Sequence, residues 1–319
     1  MSTNSKSSSP KARHCPSCGR NSAKDVLRAP DRFHGRLQFY QLVRCPSCSL
    51  VWLENPPRPD DIGDHYGRDY DRFIGSGGEN SPERWQLRRQ TLLRYKPSGT
   101  LLDLGCSTGS FLASLKGQSW ELYGIEMSRS AAGQAEASSG AKVFVGDILE
   151  APLQAEGFDV ITCFDVLEHL YEPGRVIKKV SEWLRPGGIF YTLVPNIECW
   201  EARLFQSYWY GLELPRHLFH YSPASLKHLG QAVGLQALSI ETGANPAFEY
   251  SVRYVCDDLL LKFGRSTTPL AQNKKAASLP WRGVRKVFRM TLLKAFSTLS
   301  PLAGAGESIH AVFKKTEAV

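Results

Sequence analysis

The sequence lacks several features that would place it in common protein classes. No run of about eighteen apolar residues occurs, which argues against a membrane-spanning helix. The first thirteen residues are polar and rich in serine, without an apolar core, and predict a disordered tail instead of a secretory signal. Residues 259–306 contain no aspartate or glutamate. The full length of 319 residues is enough for one large domain with small additions.

The cysteines form two C-x-x-C pairs, Cys15 with Cys18 and Cys45 with Cys48, separated by 26 residues. Four thiolates in two such pairs predict a closed, tetrahedral and therefore structural zinc site, because no coordination position is left open for catalysis. Structural thiols without a metal are the alternative. The other four of the eight cysteines are scattered, which suits a reducing compartment, and we expect a cytoplasmic protein.

Residues 101–112 contain the most informative stretch of the chain. Apolar residues lead to Asp103, and a small-residue turn with Gly105 and Gly109 follows before a segment that can start a helix. Glycines allow the backbone to pass close to a ligand. An acid followed by exposed backbone N–H groups suits a ligand that carries both positive and negative groups, such as S-adenosylmethionine.

Three interpretations compete for this turn, namely a dinucleotide-binding loop, the nucleophile turn of a serine hydrolase and the S-adenosylmethionine loop described above. The dinucleotide fingerprint G-x-G-x-x-G fails, because it needs a glycine at position 106 or 107. The pattern G-x-S-x-G is satisfied and predicts a serine hydrolase with Ser107 as nucleophile. Hydrolase sheets place several strands before that turn, whereas only a cysteine-bearing segment precedes it here. A non-catalytic cofactor-binding scaffold also stays open.

Acidic residues end the next strands of the predicted sheet. Strands near 100–104, 120–125, 141–145, 157–163 and 188–194 alternate with helical segments, which predicts a parallel sheet. Glu126, Asp147 and Asp165 follow the second, third and fourth of these strands. Ligands of such sheets bind beyond the carboxyl ends of the strands, so these acids and Asp103 are expected to surround one ligand.

A further motif, Leu-Arg-Pro-Gly-Gly, lies at 184–188. Together, these motifs resemble those of class I S-adenosylmethionine-dependent methyltransferases that carry an N-terminal zinc-binding segment. The resemblance implies an α/β fold of the Rossmann-like type, in which a seven-stranded, mostly parallel sheet is doubly wound. A small zinc-knuckle domain is expected at the N-terminus. The last strand is expected to be antiparallel at the sheet edge. The implied cofactor-binding residues, with Glu126 at the ribose and Asp147 beside the adenine, are Asp103, Gly105, Cys106, Gly109, Glu126, Asp147, Ile148 and Asp165.

The loop at 209–222 is expected on the acceptor side of the cofactor. We assign His217 as the candidate catalytic base, because a histidine can take a proton from a hydroxyl while its oxygen attacks the sulfonium methyl. Arg216 would be available for an acidic acceptor. In the alternative, His217 only orients the loop. His169 fits packing better than catalysis, and Ser222 is expected to cap the following helix.

The expected reaction is methylation, at oxygen, of a small or lipid-linked acceptor. Family resemblance suggests a sugar, a cell-surface glycan or a quinone-like molecule. The Asn- or Asp-Pro-Pro-aromatic motif of nucleobase amino-methyltransferases does not follow the fourth strand, which disfavours DNA amine methylation.

The acid-free segment carries nine lysines and arginines, more charge than the whole-chain excess of +8. Within it, residues 281–299 place tryptophan, phenylalanine and leucine at helical spacing, with basic residues on the other side. Such a helix can contact an anionic membrane peripherally or pack on the core, and the two can coexist. Nucleic acid is an unlikely partner, because no stacking aromatics interleave with the basic residues.

These observations predict six segments. They are a tail at 1–13, a zinc-binding knuckle domain at 14–55, a linker with covering helices at 56–98, a cofactor-binding core at 99–250, a basic amphipathic helical insertion at 251–303, and a last strand with tail at 304–319.

Overall fold

A computed structural model of the chain describes residues 13–66, 82–244, 248–264 and 304–316. The predicted tail up to residue 12 and the basic helix predicted at 281–299 lie outside the described residues. Within these ranges, every helix is too short or too polar to cross a bilayer. The six-segment division stays a prediction, although one helix, Phe248–Lys262, runs across the boundary placed at residue 250.

The described residues form eleven strands in two sheets. In chain order they are β1 (Lys24–Asp31), β2 (Arg36–Arg44), β3 (Val51–Leu53), β4 (Gly99–Leu104), β5 (Trp120–Glu126), β6 (Lys142–Val145), β7 (Phe158–Phe164), β8 (Leu184–Pro195), β9 (Phe219–His220), β10 (Leu235–Gly243) and β11 (Ser308–Lys315). The larger sheet has seven strands in the order β10-β11-β8-β7-β4-β5-β6. Strands β4 to β8 pair in parallel, so the predicted mostly parallel sheet is confirmed.

The position predicted for the last strand is wrong. Strand β11 is antiparallel, as expected, but it lies between β10 and β8 and not at the edge. Its side chains explain the difference, because Ile309, Ala311, Val312 and Phe313 are all buried. A strand that is apolar on both faces is stable inside a sheet, and the more polar β10 takes the edge.

Helices cover both faces of this sheet. Their bounds are α1 (Pro82–Tyr95), α2 (Ser110–Ser114), α3 (Arg129–Ser139), α4 (Pro173–Trp183), α5 (Trp200–Phe205), α6 (Pro223–Gln231) and α7 (Phe248–Lys262). Neighbouring residues along β7 belong to different cores, with Ile161 on one side and Val160 on the other. Ser222 caps α6 and accepts a hydrogen bond from Ser225 N, as predicted.

The smaller, antiparallel sheet has the order β1-β2-β3-β9. Its first three strands belong to the cysteine-bearing segment, and the hairpin β1–β2 fills the interval between the two C-x-x-C pairs. The fourth strand, β9, comes from the loop that follows β8. Val51 pairs with His220 and Trp52 with Phe219, so the N-terminal segment shares a sheet with the loop predicted to face the acceptor.

A buried carboxyl group lies between the central strands of the larger sheet. Asp103 of β4 is 4% exposed, and its Oδ1 accepts a hydrogen bond from Thr162 Oγ1 of β7 at 2.7 Å. Burial raises the pKa of Asp103 to about 7, although the Thr162 hydroxyl and the Arg88 guanidinium act in the opposite direction. The interior at this point therefore favours the protonated acid.

This burial predicts a pH dependence of stability. In the ligand-free protein Asp103 keeps its proton to about pH 7, whereas the unfolded chain releases it near pH 4. The folded state binds more protons in that window, so this group makes the free energy of unfolding fall as the pH rises, by at most about 1.4 kcal/mol per pH unit. The Asp103→Asn variant should lose that slope in urea unfolding. The exposed Asp60→Asn should keep it, and equal slopes in wild type and Asp103→Asn would contradict the account.

Candidate functional site

The loop between β4 and α2 contains two glycines at positions where another residue would not fit. Gly105 and Gly109 have φ values of +68° and +78°, which side chains disfavour. A Cβ on Gly105 would lie 2.5 Å from Val166 Cγ2, and one on Gly109 would lie 2.6 Å from Ala135 Cα. Both glycines are therefore required by conformation and by space, and their backbone can approach a ligand without side-chain interference.

Glu126, at the end of β5, connects the loops after β4 and β5. Its carboxylate accepts hydrogen bonds from Ser107 N at 3.0 Å and Ser128 N at 2.8 Å. A carboxylate offers about four lone-pair sites, so two neighbours leave acceptor capacity for ligand hydroxyls. The side chain is half-buried. This geometry fits the ribose contact implied for Glu126.

The residues after β6 continue this edge. Asp147 is exposed, and its Oδ1 accepts a hydrogen bond from Leu149 N at 2.7 Å, capping a single turn of 3₁₀ helix. Ile148 is buried beside it. Gly146 N donates to Glu126 O at 3.0 Å, which ties the ends of β5 and β6 together. The predicted adenine contacts thus lie next to the predicted ribose contact.

Asp165, after β7, has a different environment from the other acids. Its Oδ2 forms ion pairs with Arg88 Nη2 at 2.8 Å and Arg84 Nη2 at 3.1 Å, both from α1. Burial opposes ionisation, but Arg88 and Arg84 lower the pKa of Asp165. Its φ of 56° stores backbone strain at the strand end, where strain is typical of functional sites. Neither arginine was predicted from the sequence, although their spacing of four residues on α1 places them on one helix face.

Cys106 is buried directly after the first glycine. A Cβ on Gly124 of β5 would lie 2.6 Å from Cys106 Sγ, so this thiol fills the space above the neighbouring strand. Burial raises the pKa of Cys106, which keeps the thiol protonated. Its observed role is packing beneath the loop.

The acceptor-side loop places His217 in a buried position with a defined tautomer. Its Nδ1 lies 2.9 Å from Gly211 O, and a carbonyl can only accept, so Nδ1 carries the hydrogen and Nε2 has the lone pair. Nε2 is 3.7 Å from Glu213 Oε2. Burial lowers the pKa of His217, and Glu213 partly offsets this. The imidazole is therefore neutral near pH 7.

Arg216 is not available for an acidic acceptor, contrary to the expectation. It is 1% exposed, and its Nη2 donates to Glu213 Oε2 at 2.8 Å. Its guanidinium lies 4.3 Å from the centre of the Phe33 ring. Burial acts against the charge of Glu213, but Arg216 and His217 lower its pKa to about 2. The missed Glu213 is three and four residues before Arg216 and His217, a spacing that could have indicated the pairing.

His169 packs against His217, with ring centres 4.7 Å apart. Its Nδ1 lies 3.1 Å from Arg216 O and 3.0 Å from Tyr66 Oη. Burial lowers the pKa of His169 to about 3. The adjacent Glu168 is 1% exposed. Burial raises the pKa of Glu168, and the charge of Asp165 raises it further. Glu168 was not predicted from the sequence, because burial of a glutamate after a strand leaves no local signal.

The four predicted zinc ligands come together. Cys15 Sγ is 3.5 Å from Cys48 Sγ, and Cys18 Sγ is 3.6 Å from Cys45 Sγ, so each contact joins the two pairs. All four sulfurs lie within 4.8 Å of one another. A tetrahedral ion with Zn–S bonds of about 2.3 Å requires sulfurs about 3.8 Å apart. The donor set and its spacing therefore fit zinc.

The hydrolase alternative lacks its base. Ser107 has a φ of 49° and its backbone N–H is bonded to Glu126. In the described part of the chain, no histidine is hydrogen-bonded to its hydroxyl, whereas a serine nucleophile needs such a base. The G-x-S-x-G match comes from the turn that the two glycines require.

Comparison with known proteins agrees with this geometry. A methyltransferase-domain family matches residues 78–240, just over half of the chain. Ubiquinone biosynthesis O-methyltransferase from Burkholderia thailandensis is 27% identical over 159 residues, which cover 46% of this chain and 68% of that protein. The enzyme of the same name from Paraburkholderia phymatum is 29% identical over 153 residues, which cover 44% and 66%.

Solved structures show the same fold. One chain of the Haloferax volcanii complex between the Trm112 methyltransferase activator and a methyltransferase has a TM-score of 0.51 at 16% identity, and the match covers 82% of this chain and 98% of that one. An S-adenosylmethionine-dependent methyltransferase from Thermotoga maritima has a TM-score of 0.50 at 15% identity, with 80% and 99% covered. The chain thus belongs to the methyltransferase-domain family, as a class I S-adenosylmethionine-dependent methyltransferase.

Proposed function

We propose that this methyltransferase methylates a hydroxyl oxygen of a small acceptor, with His217 as the proton acceptor. The observation that carries the proposal is the fixed tautomer of His217, whose Nδ1–H donates to Gly211 O and leaves Nε2 free to accept a proton. A quinone-like acceptor is favoured over a sugar or glycan, since the relatives named above are called ubiquinone biosynthesis O-methyltransferases.

The strand ends would hold the cofactor, which supplies an activated methyl group on a sulfonium. The loop from Gly105 to Gly109 would lie beneath it, Glu126 would accept from the ribose hydroxyls, and Asp147 with Ile148 would flank the adenine. We assign Asp103 and Asp165 to the same site, where Asp165 would act together with its two arginines. Alignment of the reactants is the protein's main contribution, and it can lower the barrier by about 7–11 kcal/mol.

On the acceptor side, Glu213 stabilises the charge that His217 gains. Its carboxylate is ionised and held by Arg216, and it lies 3.7 Å from the nitrogen that takes the proton. Arg216 serves this pair instead of binding the acceptor. A non-catalytic scaffold would bind the cofactor in the same way, and only turnover distinguishes the two functions.

The test uses methyl-labelled cofactor and a panel of quinol, catechol and sugar acceptors, followed by mass spectrometry of the products. With the best acceptor, His217→Gln should lower kcat by about 10²–10⁴-fold and leave the Kd for S-adenosylhomocysteine unchanged. The exposed His228→Gln is the matched control. In the wild type, kcat/KM should fall in acid as His217 becomes protonated. The fall should occur below the ordinary pKa of histidine, because burial lowers the pKa of His217. An unchanged rate and pH profile in His217→Gln would remove the base, and no labelled product from any acceptor would support the scaffold.

The four cysteines are proposed to hold one structural zinc ion. Burial raises the pKa of Cys15 and of Cys48. Burial acts in the same direction on Cys45, but hydrogen bonds from the backbone N–H groups of Cys48 and Ser47 and from the neighbouring thiols together lower its pKa to about 7. Bound zinc would offset the cost of burying thiolates. All eight cysteines are free of disulfides, in keeping with the proposed cytoplasmic location.

Metal analysis of the purified chain tests the zinc site. Wild type and the control Cys256→Ser should contain about one zinc ion per chain, and Cys18→Ser should contain much less, because three thiolates hold zinc more weakly than four. Well under one zinc ion per chain in wild type would contradict the site.

Peripheral contact with an anionic membrane is also proposed, as a means of reaching a lipid-linked or quinone-like acceptor. Its support is the run of nine basic residues without an acid at 259–306. The described end of α7 adds exposed apolar side chains, of which Leu261 is 54% exposed and Phe263, directly after the helix, 80%. Apolar area together with basic charge favours the interface of anionic lipid.

Co-sedimentation with vesicles tests this contact. Binding to vesicles containing phosphatidylglycerol should exceed binding to pure phosphatidylcholine and should weaken with salt. Changing Arg282, Lys286 and Arg289 to glutamine should reduce partitioning by up to about 100-fold, at about 1 kcal/mol for each charge. As a control with the same loss of charge, Lys24, Lys178 and Lys227 are changed to glutamine, because these lysines are exposed outside the basic segment. Equal binding to both vesicle types would exclude the electrostatic contact.

A further inference from the structure

The second cysteine pair forms the turn between two strands. Cys45 directly follows the end of β2, and Cys48 comes three residues before β3 begins at Val51. Cys45 N donates to Leu50 O at 2.9 Å, which closes the turn. An ion bound by Cys45 and Cys48 would therefore fix how β3 leaves the hairpin.

Strand β3 in turn holds the acceptor-side loop. It pairs with β9 through Val51 and Trp52, and Leu53 N donates to Leu218 O at 2.9 Å. Leu218 is the residue after His217, and its own N–H donates to Glu168 O at 2.8 Å. A short, continuous hydrogen-bonded path therefore leads from the cysteine turn to His217.

Other residues of the segment that precedes the larger sheet contact the same cluster. His65 O lies 3.4 Å from Arg216 Nη1, and the Phe33 ring packs under the Arg216 guanidinium. Tyr66 Oη is 3.0 Å from His169 Nδ1. These contacts come from parts of the segment outside the cysteine turns, so the loop is held from two directions.

We propose that metal binding at the four cysteines positions His217 for the reaction, with the N-terminal sheet β1-β2-β3-β9 as the positioning element. This inference rests on the zinc site proposed above. Because β9 has only two residues and pairs with β3, loss of order in β3 would remove one of the two sets of contacts that hold the loop and would loosen it. The cofactor loop at Gly105–Gly109 belongs to the other sheet and would keep its geometry.

Hydrogen–deuterium exchange of the full chain measures this coupling. Removal of zinc by a chelator should speed amide exchange in peptides covering 211–222 by at least about tenfold, and added Zn²⁺ should restore protection. Peptides covering 101–110 should be unchanged, and the Kd for S-adenosylhomocysteine should change by less than about threefold. Cys48→Ser should reproduce the exchange pattern of the chelated protein, and Cys256→Ser should match wild type.

Phe33→Leu provides a second test that leaves the cysteines intact. It should retain full zinc content, remove the contact with Arg216 and speed exchange at 211–222 by a smaller factor. Unchanged exchange at 211–222 after zinc removal, or equal loss of protection throughout the chain, would overturn the coupling. Metal analysis of the same samples distinguishes failure of the coupling from failure of the zinc site. A chain that contains no zinc before chelation contradicts the zinc site itself.

Discussion

The edge of the larger sheet is organised by two hydrogen bonds that the Glu126 carboxylate accepts from backbone N–H groups of the loops after β4 and β5. Parallel strands place their carboxyl ends at one edge of the sheet, but their loops are otherwise free to diverge. Glu126 holds two of these loops at a fixed distance, and Gly146 N adds the end of β6 through Glu126 O. One side chain thus defines the shape of the edge where the cofactor would lie.

Beyond that edge, the proposed cofactor site and the proposed acceptor site are built from different parts of the chain. The cofactor side is built from consecutive strands and short loops, which are local in sequence. The acceptor side is assembled from the N-terminal segment, the residues after β7 and the loop after β8. Two of its buried charged groups, Glu213 and Arg216, form an ion pair, since an unpaired charge would be costly at that depth.

The sequence predicted those features that local chemistry determines. The five parallel strands, the glycine turn, the cap at Ser222 and the convergence of the four cysteines follow from apolar patterns, backbone freedom and ligand spacing. Features that depend on long-range packing were missed. The pairing of β9 with β3 joins residues more than 160 positions apart and involves only two residue pairs. The ion pairs of Asp165, the burial of Arg216 and the interior place of β11 also required the tertiary structure.

The most direct measurement of the central claim is a calorimetric titration of the full chain with S-adenosylhomocysteine. The account predicts one ligand per chain, and a Kd at least about tenfold higher for Glu126→Ala, because that change removes the carboxylate assigned to the ribose and the two loop contacts. Absence of binding heat across temperatures, or the same Kd in wild type and Glu126→Ala, would contradict the claim that the strand ends form one cofactor site.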